Sequence, residues 1–195
     1  MKIIKMSKDQ NIKDFIKRWV NRGAERQNTQ TFWLELLSIV LGVELPGEMI
    51  EFEKKVDLEH NSFIDAYIPL TRVLIEQKSK NTPLDKVISQ SDKNQLTPYQ
   101  QAKRYSDWLL LSQHARWIVT CNFQEFWVYN METPKAEPEI IQLKNLYEEW
   151  PKLKFLIASA EAPFIIFLRY PMKLFLCLFF IKFISNASQT VLHPK

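Results

Sequence analysis

Glycine is scarce in this chain. Only Gly23, Gly42 and Gly47 occur in 195 residues, and none forms a glycine-rich loop after a strand. Two cysteines, Cys121 and Cys177, are too few for a disulfide framework. The three histidines, His60, His114 and His193, stand far apart without the spacing of zinc ligands. These absences exclude a disulfide-built secreted domain and a zinc module, and they fit a reducing, cytoplasmic setting. The N-terminus, MKIIKMSKDQ, scatters its charge and has no apolar core of signal-peptide length. Neither sign of charge dominates: a formal charge of +4 and a pI near 9.0 permit a polyanionic partner without demanding one. Long apolar runs are missing until Ala162, where the composition shifts to APFIIFLRYPMKLFLCLFFIKFIS. Its longest run free of charge and proline, Leu174 to Ile181, is well short of the ~20 residues a membrane-spanning helix needs, so no stable membrane association is expected. The abrupt shift gives residues 158–195 the look of a truncated or frame-shifted end.

A chain of this length holds one full domain plus appendages. In NIKDFIKRWV, the spacing of Ile12, Phe15, Ile16, Trp19 and Val20 predicts an amphipathic helix within residues 1–24. The domain proper is expected over 25–157. TQTFWLELLSIVLG supplies a second, core helix that Gly42 can end in the left-handed conformation. MIEFEKKV alternates like a strand with one wet face, and SFIDAYI and TRVLIEQK are two further strands. SKNTPLDKVISQSDKNQ reads as a solvated connection with room for one helical turn. Thr97 as N-cap and Pro98 at the first helical position open a helix through LTPYQQAKRYSDWLLL. RWIVTCNFQEFWVYN gives two strands around a turn at Phe123 and Gln124, and LKNLYEEW one short helix. The implied class is α/β or α+β, with one mixed sheet flanked by helices in the order helix, strand, strand, strand, helix, strand.

The stretch FIDAYIPLTRVLIEQKSK sets charged residues into apolar runs. Residues two apart in a strand share a face, so Glu76 and Lys78 project together while Gln77 points away. The short connection through Pro69 makes a hairpin that brings Asp65 beside Glu76. Two carboxylates converging at a strand end form the hard oxygen site that Mg²⁺ prefers. An ammonium beside them can orient or deprotonate a water, or steady charge on a phosphate. Strand ends also carry such residues as plain ion pairs. Here the apolar company argues for a partner or a metal, because an unpaired buried charge is expensive. On the following helix, Gln101 and Tyr105 lie one turn apart on one face, able to reach the same strand ends.

With Asp65, Glu76-Gln77-Lys78 and Gln101-Ala102-Lys103-Arg104-Tyr105 arriving in this order, the chain resembles the PD-(D/E)XK nuclease superfamily in its variety with a Q-x-x-x-Y helix. More closely, FIDAYIPLTRVLIEQKSK, QTFWLELLSIVLGV and CNFQEFWVYN resemble the N-terminal endonuclease domain of MmeI-like restriction-modification enzymes, over roughly Asn11 to Ile157. The leading proline of the superfamily name is replaced by Ile64. The resemblance implies metal binding by Asp65 and Glu76, a catalytic role for Lys78, support from Gln101 and Tyr105, and a further acidic contribution from Glu25. It implies Mg²⁺ as cofactor and DNA as partner, with Lys80, Lys86, Lys103 and Arg104 as candidate DNA contacts and a homodimer as one route to double-strand cleavage. The full-length enzymes add an adenine-N6 methyltransferase and a target-recognition domain. No glycine-rich loop for S-adenosylmethionine and no Asn-Pro-Pro-aromatic stretch occurs in this chain, so methylation is not expected of it.

Two function classes follow: a Mg²⁺-dependent DNA endonuclease domain, as a fragment of such an enzyme, or a noncatalytic DNA-binding remnant with the nuclease fold. Trp108, Trp117, Trp127 and Tyr129 sit at helical and strand spacing and are expected in the core, and Cys121 is expected to be a small buried residue.

Overall fold

The computed structural model describes residues 7–58, 61–89 and 94–157, so the apolar tail lies outside the described residues. Helix α1 (Lys8–Trp19) starts at Ser7, whose hydroxyl accepts from the Gln10 N–H at 3.3 Å, and ends with Lys17 and Arg18 against the negative end of the helix dipole. Ile12, Phe15 and Trp19 are fully buried, as their spacing requires. Helix α2 (Glu25–Glu35) runs into a π turn, Leu36–Val40, and Gly42 with φ +80° lets the chain leave it. Glu35 fastens the two helices together, accepting from Arg18 Nη1 at 2.6 Å and Trp19 Nε1 at 2.9 Å. The short α3 (Pro46–Met49) leads into the sheet.

Six strands form that sheet: β1 (Glu51–Asp57), β2 (Asn61–Ile68), β3 (Val73–Gln77), β6 (Trp117–Cys121), β7 (Glu125–Asn130) and β8 (Glu139–Gln142), in spatial order β1-β2-β3-β6-β7-β8. All neighbours are antiparallel except β3 and β6, which pair in parallel from Val73↔Trp117 to Gln77↔Cys121. A parallel pair needs a crossover, and α4 (Pro98–Asp107) lies in it. Its start is fixed by a capping box, in which Thr97 and Gln100 exchange side-chain-to-backbone hydrogen bonds. The mixed sheet flanked by helices is the class expected from the pattern of elements.

Each sheet face carries its own core. Against α1, α2 and the π turn lie Ile75, Val119, Cys121, Phe126 and Val128, joined by an aromatic cluster of Phe15, Trp19, Phe32, Trp33 and Phe123. Against α4 lie Tyr67, Leu74 and Ile118 with Ala102 and Ala115. The β1–β2 hairpin rolls over part-way along. Phe52 and Ala66 pack into the first core, whereas Val56 and Ile64, of the same parity in their strands, pack into the second. Glu53, with a left-handed φ of +51°, lies at the changeover.

Three local expectations need correction. Among its described residues the connection after Ser79 holds no helical turn; it forms two short strands, β4 (Ile88–Ser89) and β5 (Gln95–Leu96), paired as Ile88↔Leu96 and Ser89↔Gln95. Strand β8 had no counterpart in the sequence reading, since four residues between turns carry too little periodicity to register. Trp108 is 56% exposed, because α4 stops at Asp107 and the helical spacing that pointed it inward ends there. LKNLYEEW is helical as α5 (Leu146–Glu149) between two 3₁₀ turns. Among the described residues, no helix is long and apolar enough to cross a membrane.

Candidate active site

All five residues of β3 are buried, so its end delivers Glu76 into the protein interior, with Lys78 just beyond. The β2–β3 ladder stops at Ala66↔Ile75, one step before Asp65 and Glu76 would pair. In place of a backbone carbonyl, Asp65 Oδ2 accepts the Gln77 N–H at 2.7 Å. The Asp65 side chain therefore reaches across the strand end. Lys78 Nζ donates to Glu76 Oε1 at 2.6 Å and to Gln101 Oε1 at 3.1 Å, and Gln101 Nε2 donates to the Tyr105 hydroxyl at 3.1 Å. One hydrogen-bonded chain thus links Glu76, Lys78, Gln101 and Tyr105 across strand and helix, and Asp65 joins the same strand end through the Gln77 N–H.

Gln77 does point to the opposite face, and there it pins the site to the scaffold. Its Oε1 accepts from the Trp33 indole at 2.9 Å, and its Nε2 donates to the carbonyls of Cys121 and Lys78, each at 3.0 Å. The Lys78 N–H continues the ladder onto Cys121 O at 2.7 Å. This amide bridge, invisible in the sequence, fixes the end of β3 to β6 and to α2. Helix α2 carries the half-buried Glu25 at its first position. Its docking depends on Gly23, whose carbonyl accepts from the Lys80 N–H at 2.8 Å.

Burial and like charge dominate the electrostatics. Burial pushes the Asp65 carboxyl up to about 6, against the pull of the Gln77 N–H and the Lys78 ammonium, and Glu25 and Glu53 push it further. Glu76 is driven well above the usual carboxylate range by burial and by Asp65. Burial pulls Lys78 down, but Glu76 beside it more than reverses this, so the side chain is held as an ammonium. Glu53 is the residue that the sequence reading missed. The register flanking it, Phe52↔Ala66 and Lys54↔Ile64, sets it opposite Asp65, a placement that depends on the rolled hairpin and leaves no mark in the local sequence pattern.

Whether these groups suit a divalent cation is tested by the hydrogen bonds they leave unmade. Glu76 Oε2 is buried without a hydrogen-bond partner, the kind of acceptor that a hard cation satisfies. Among the described residues, no three His, Cys, Asp or Glu side chains converge tightly enough to enclose an ion. Mg²⁺ does not require that, since it binds through one or two carboxylates and keeps several waters. Asp65 and Glu76 therefore fit the group.

The candidate DNA contacts are dispersed in their engagements. Lys80 Nζ donates to the Val20 carbonyl at 2.9 Å, which ties it to the end of α1. Lys86 pairs with Asp85 at 3.5 Å and Lys103 with Asp107 at 3.0 Å, while Arg104 sits half-buried in the last turn of α4. Cys121 is buried, and burial raises its thiol to about 12, which leaves it inert as a nucleophile.

A family model described as the N-terminal domain of MmeI matches residues 9–163. The chain belongs to this family. The MmeI N-terminal domain match takes in every strand of the sheet, the Asp65–Glu76–Lys78 site and α4, and it begins inside α1, which packs into the same core as α2. No curated protein and no solved structure matches the chain.

Proposed function

We propose that this domain of the MmeI N-terminal family is a Mg²⁺-dependent DNA endonuclease of the PD-(D/E)XK type, the cutting part of a restriction-modification enzyme that works in the cytoplasm. The observation that carries this reading is the convergence of Asp65, Glu76 and Lys78 at one strand end, with Glu76 Oε2 left unpartnered inside the protein. The sheet order and the α4 crossover between β3 and β6 support it, since they bring Gln101 onto Lys78 with Tyr105 hydrogen-bonded behind Gln101.

Asp65 and Glu76 would hold the ion, which when bound polarises a phosphate oxygen and eases deprotonation of a water. Lys78 is kept cationic by Glu76 and aimed by Gln101, so its Nζ serves as a donor that steadies negative charge on the phosphate. In that state it orients a water rather than taking its proton. Gln101 and Tyr105 act by holding Lys78 in place, and the buried end of β3 keeps bulk water away from the carboxylates.

Cleavage of supercoiled plasmid by the full chain, with Mg²⁺ and with chelator, tests the proposal beside Lys78→Ala and Asp65→Asn. Metal-dependent nicking that both variants lose is the expected result. Chelator-resistant DNA binding without nicking, in protein shown to be folded, would favour a noncatalytic DNA-binding module.

A further inference from the structure

Glu53 holds a left-handed backbone, φ +51°, in the middle of β1. A long side chain is strained there, and glycine would fill the position more easily. Strained residues that persist cluster at functional sites, where their surroundings hold them in place. Glu53 lies opposite Asp65, between the pairs Phe52↔Ala66 and Lys54↔Ile64, at the point where the hairpin changes the face it presents. Its carboxylate is exposed, and its charge reaches Asp65 together with that of Glu25 from α2.

The sheet register flanks Asp65 with Glu76 on β3 and Glu53 on β1, and the negative charge of Glu25 on α2 also bears on it. Such a set repels itself unless a cation lies among its members. The buried, unpartnered Oε2 of Glu76 independently marks where that cation belongs. Among the described residues no three acidic side chains close on one point, so the outer carboxylates do not stand as a ready-made set of direct ligands. Hydrated Mg²⁺ offers the alternative, in which the outer carboxylates accept hydrogen bonds from its waters.

Building on the reading of Asp65 and Glu76 as a cation site, we propose that Glu53 is a positioning residue of that site. From the β1 side its carboxylate receives the water shell of the divalent cation, as Glu25 does from α2. The strain at Glu53 then places a carboxylate where the rolled hairpin would otherwise leave only backbone.

Calorimetric titration of the full 195-residue chain with Mn²⁺, without DNA, tests this. Glu53→Gln keeps the side-chain size and removes the charge; Glu53→Gly removes both the strain and the carboxylate. Both are expected to weaken Mn²⁺ binding about tenfold, the usual scale for losing an outer partner of a metal site. Glu51→Gln, on an exposed neighbour already paired with Lys54, is expected to leave the affinity unchanged. In thermal melts with chelator, Glu53→Gly should match or exceed the wild-type Tm, yet show a smaller upward shift on adding Mn²⁺. Equal Mn²⁺ affinity in the wild type and both Glu53 variants, with binding lost in Asp65→Asn, would overturn the role of Glu53 and leave the Asp65–Glu76 site standing. No Mn²⁺ binding by the wild type would overturn both.

Discussion

Asp65 costs the metal-free protein stability at neutral pH. Burial pushes its carboxyl up to about 6 from the ordinary 3.8, so the folded state holds the proton more tightly than the unfolded chain. The contribution is fully present below pH 3.8 and is lost as pH rises through about 6. Asp65→Asn keeps an acceptor for the Gln77 N–H and removes the charge. In chelator at neutral pH it is expected to raise Tm by roughly 2–4 °C, the shift that goes with about 1 kcal/mol in a domain of this size. Near pH 4 the gain should vanish, and melts at the two pH values check both halves of the expectation. The Glu76–Lys78 pair behaves differently, because each charge is buried with the other. Lys78→Ala strands a carboxylate and should cost about 3–5 kcal/mol in urea unfolding, whereas Glu76→Gln with Lys78→Met should recover most of that loss.

Elements carry these side chains to one place, and two junctions hold the elements. At Gly23, with φ +149°, an added Cβ would lie 2.7 Å from Lys80 Cβ and 2.9 Å from a Phe123 ring carbon. Gly23→Ala must therefore push α1 and α2 away from the end of β3, and it is expected to destabilise the domain by about 1–3 kcal/mol from backbone strain, with the contact clash added. Unfolding by urea reads the loss directly. The other junction is the N-terminus of α4, where the Thr97 capping box sets the register that delivers Gln101 onto Lys78. Thr97→Ala should cost about 1 kcal/mol. The period of the apolar residues made α1, α2 and α4 legible in the sequence. The β4–β5 pair and β8 were not legible, because strands of two to four residues are defined by the partner they meet rather than by their own pattern.

Across the molecule, the sheet is the rigid frame and its centre is β3 with β6. Both are paired on each edge and covered on each face, so their amides should exchange slowest with solvent, while those of β4 and β5 exchange first; hydrogen exchange read by mass spectrometry would show the order. The position of Asp65, Glu76 and Lys78 at the end of that frame gives the site its stiffness. The sequence by itself determined the alternation that makes β2 and β3 a hairpin, and with it the meeting of Asp65 and Glu76, because strand parity and a short connection leave one register that buries both apolar runs. It likewise set Gln101 and Tyr105 one turn apart. Only the tertiary structure decided that Gln77 would bridge Trp33 to Cys121, that Lys80 would be tied to Val20, and that Glu53 would face Asp65 from a rolled strand. Those contacts join residues dozens of positions apart, or turn on one backbone angle. Local periodicity is blind to both, since it records which way a side chain faces along its own element and not what another element brings to meet it.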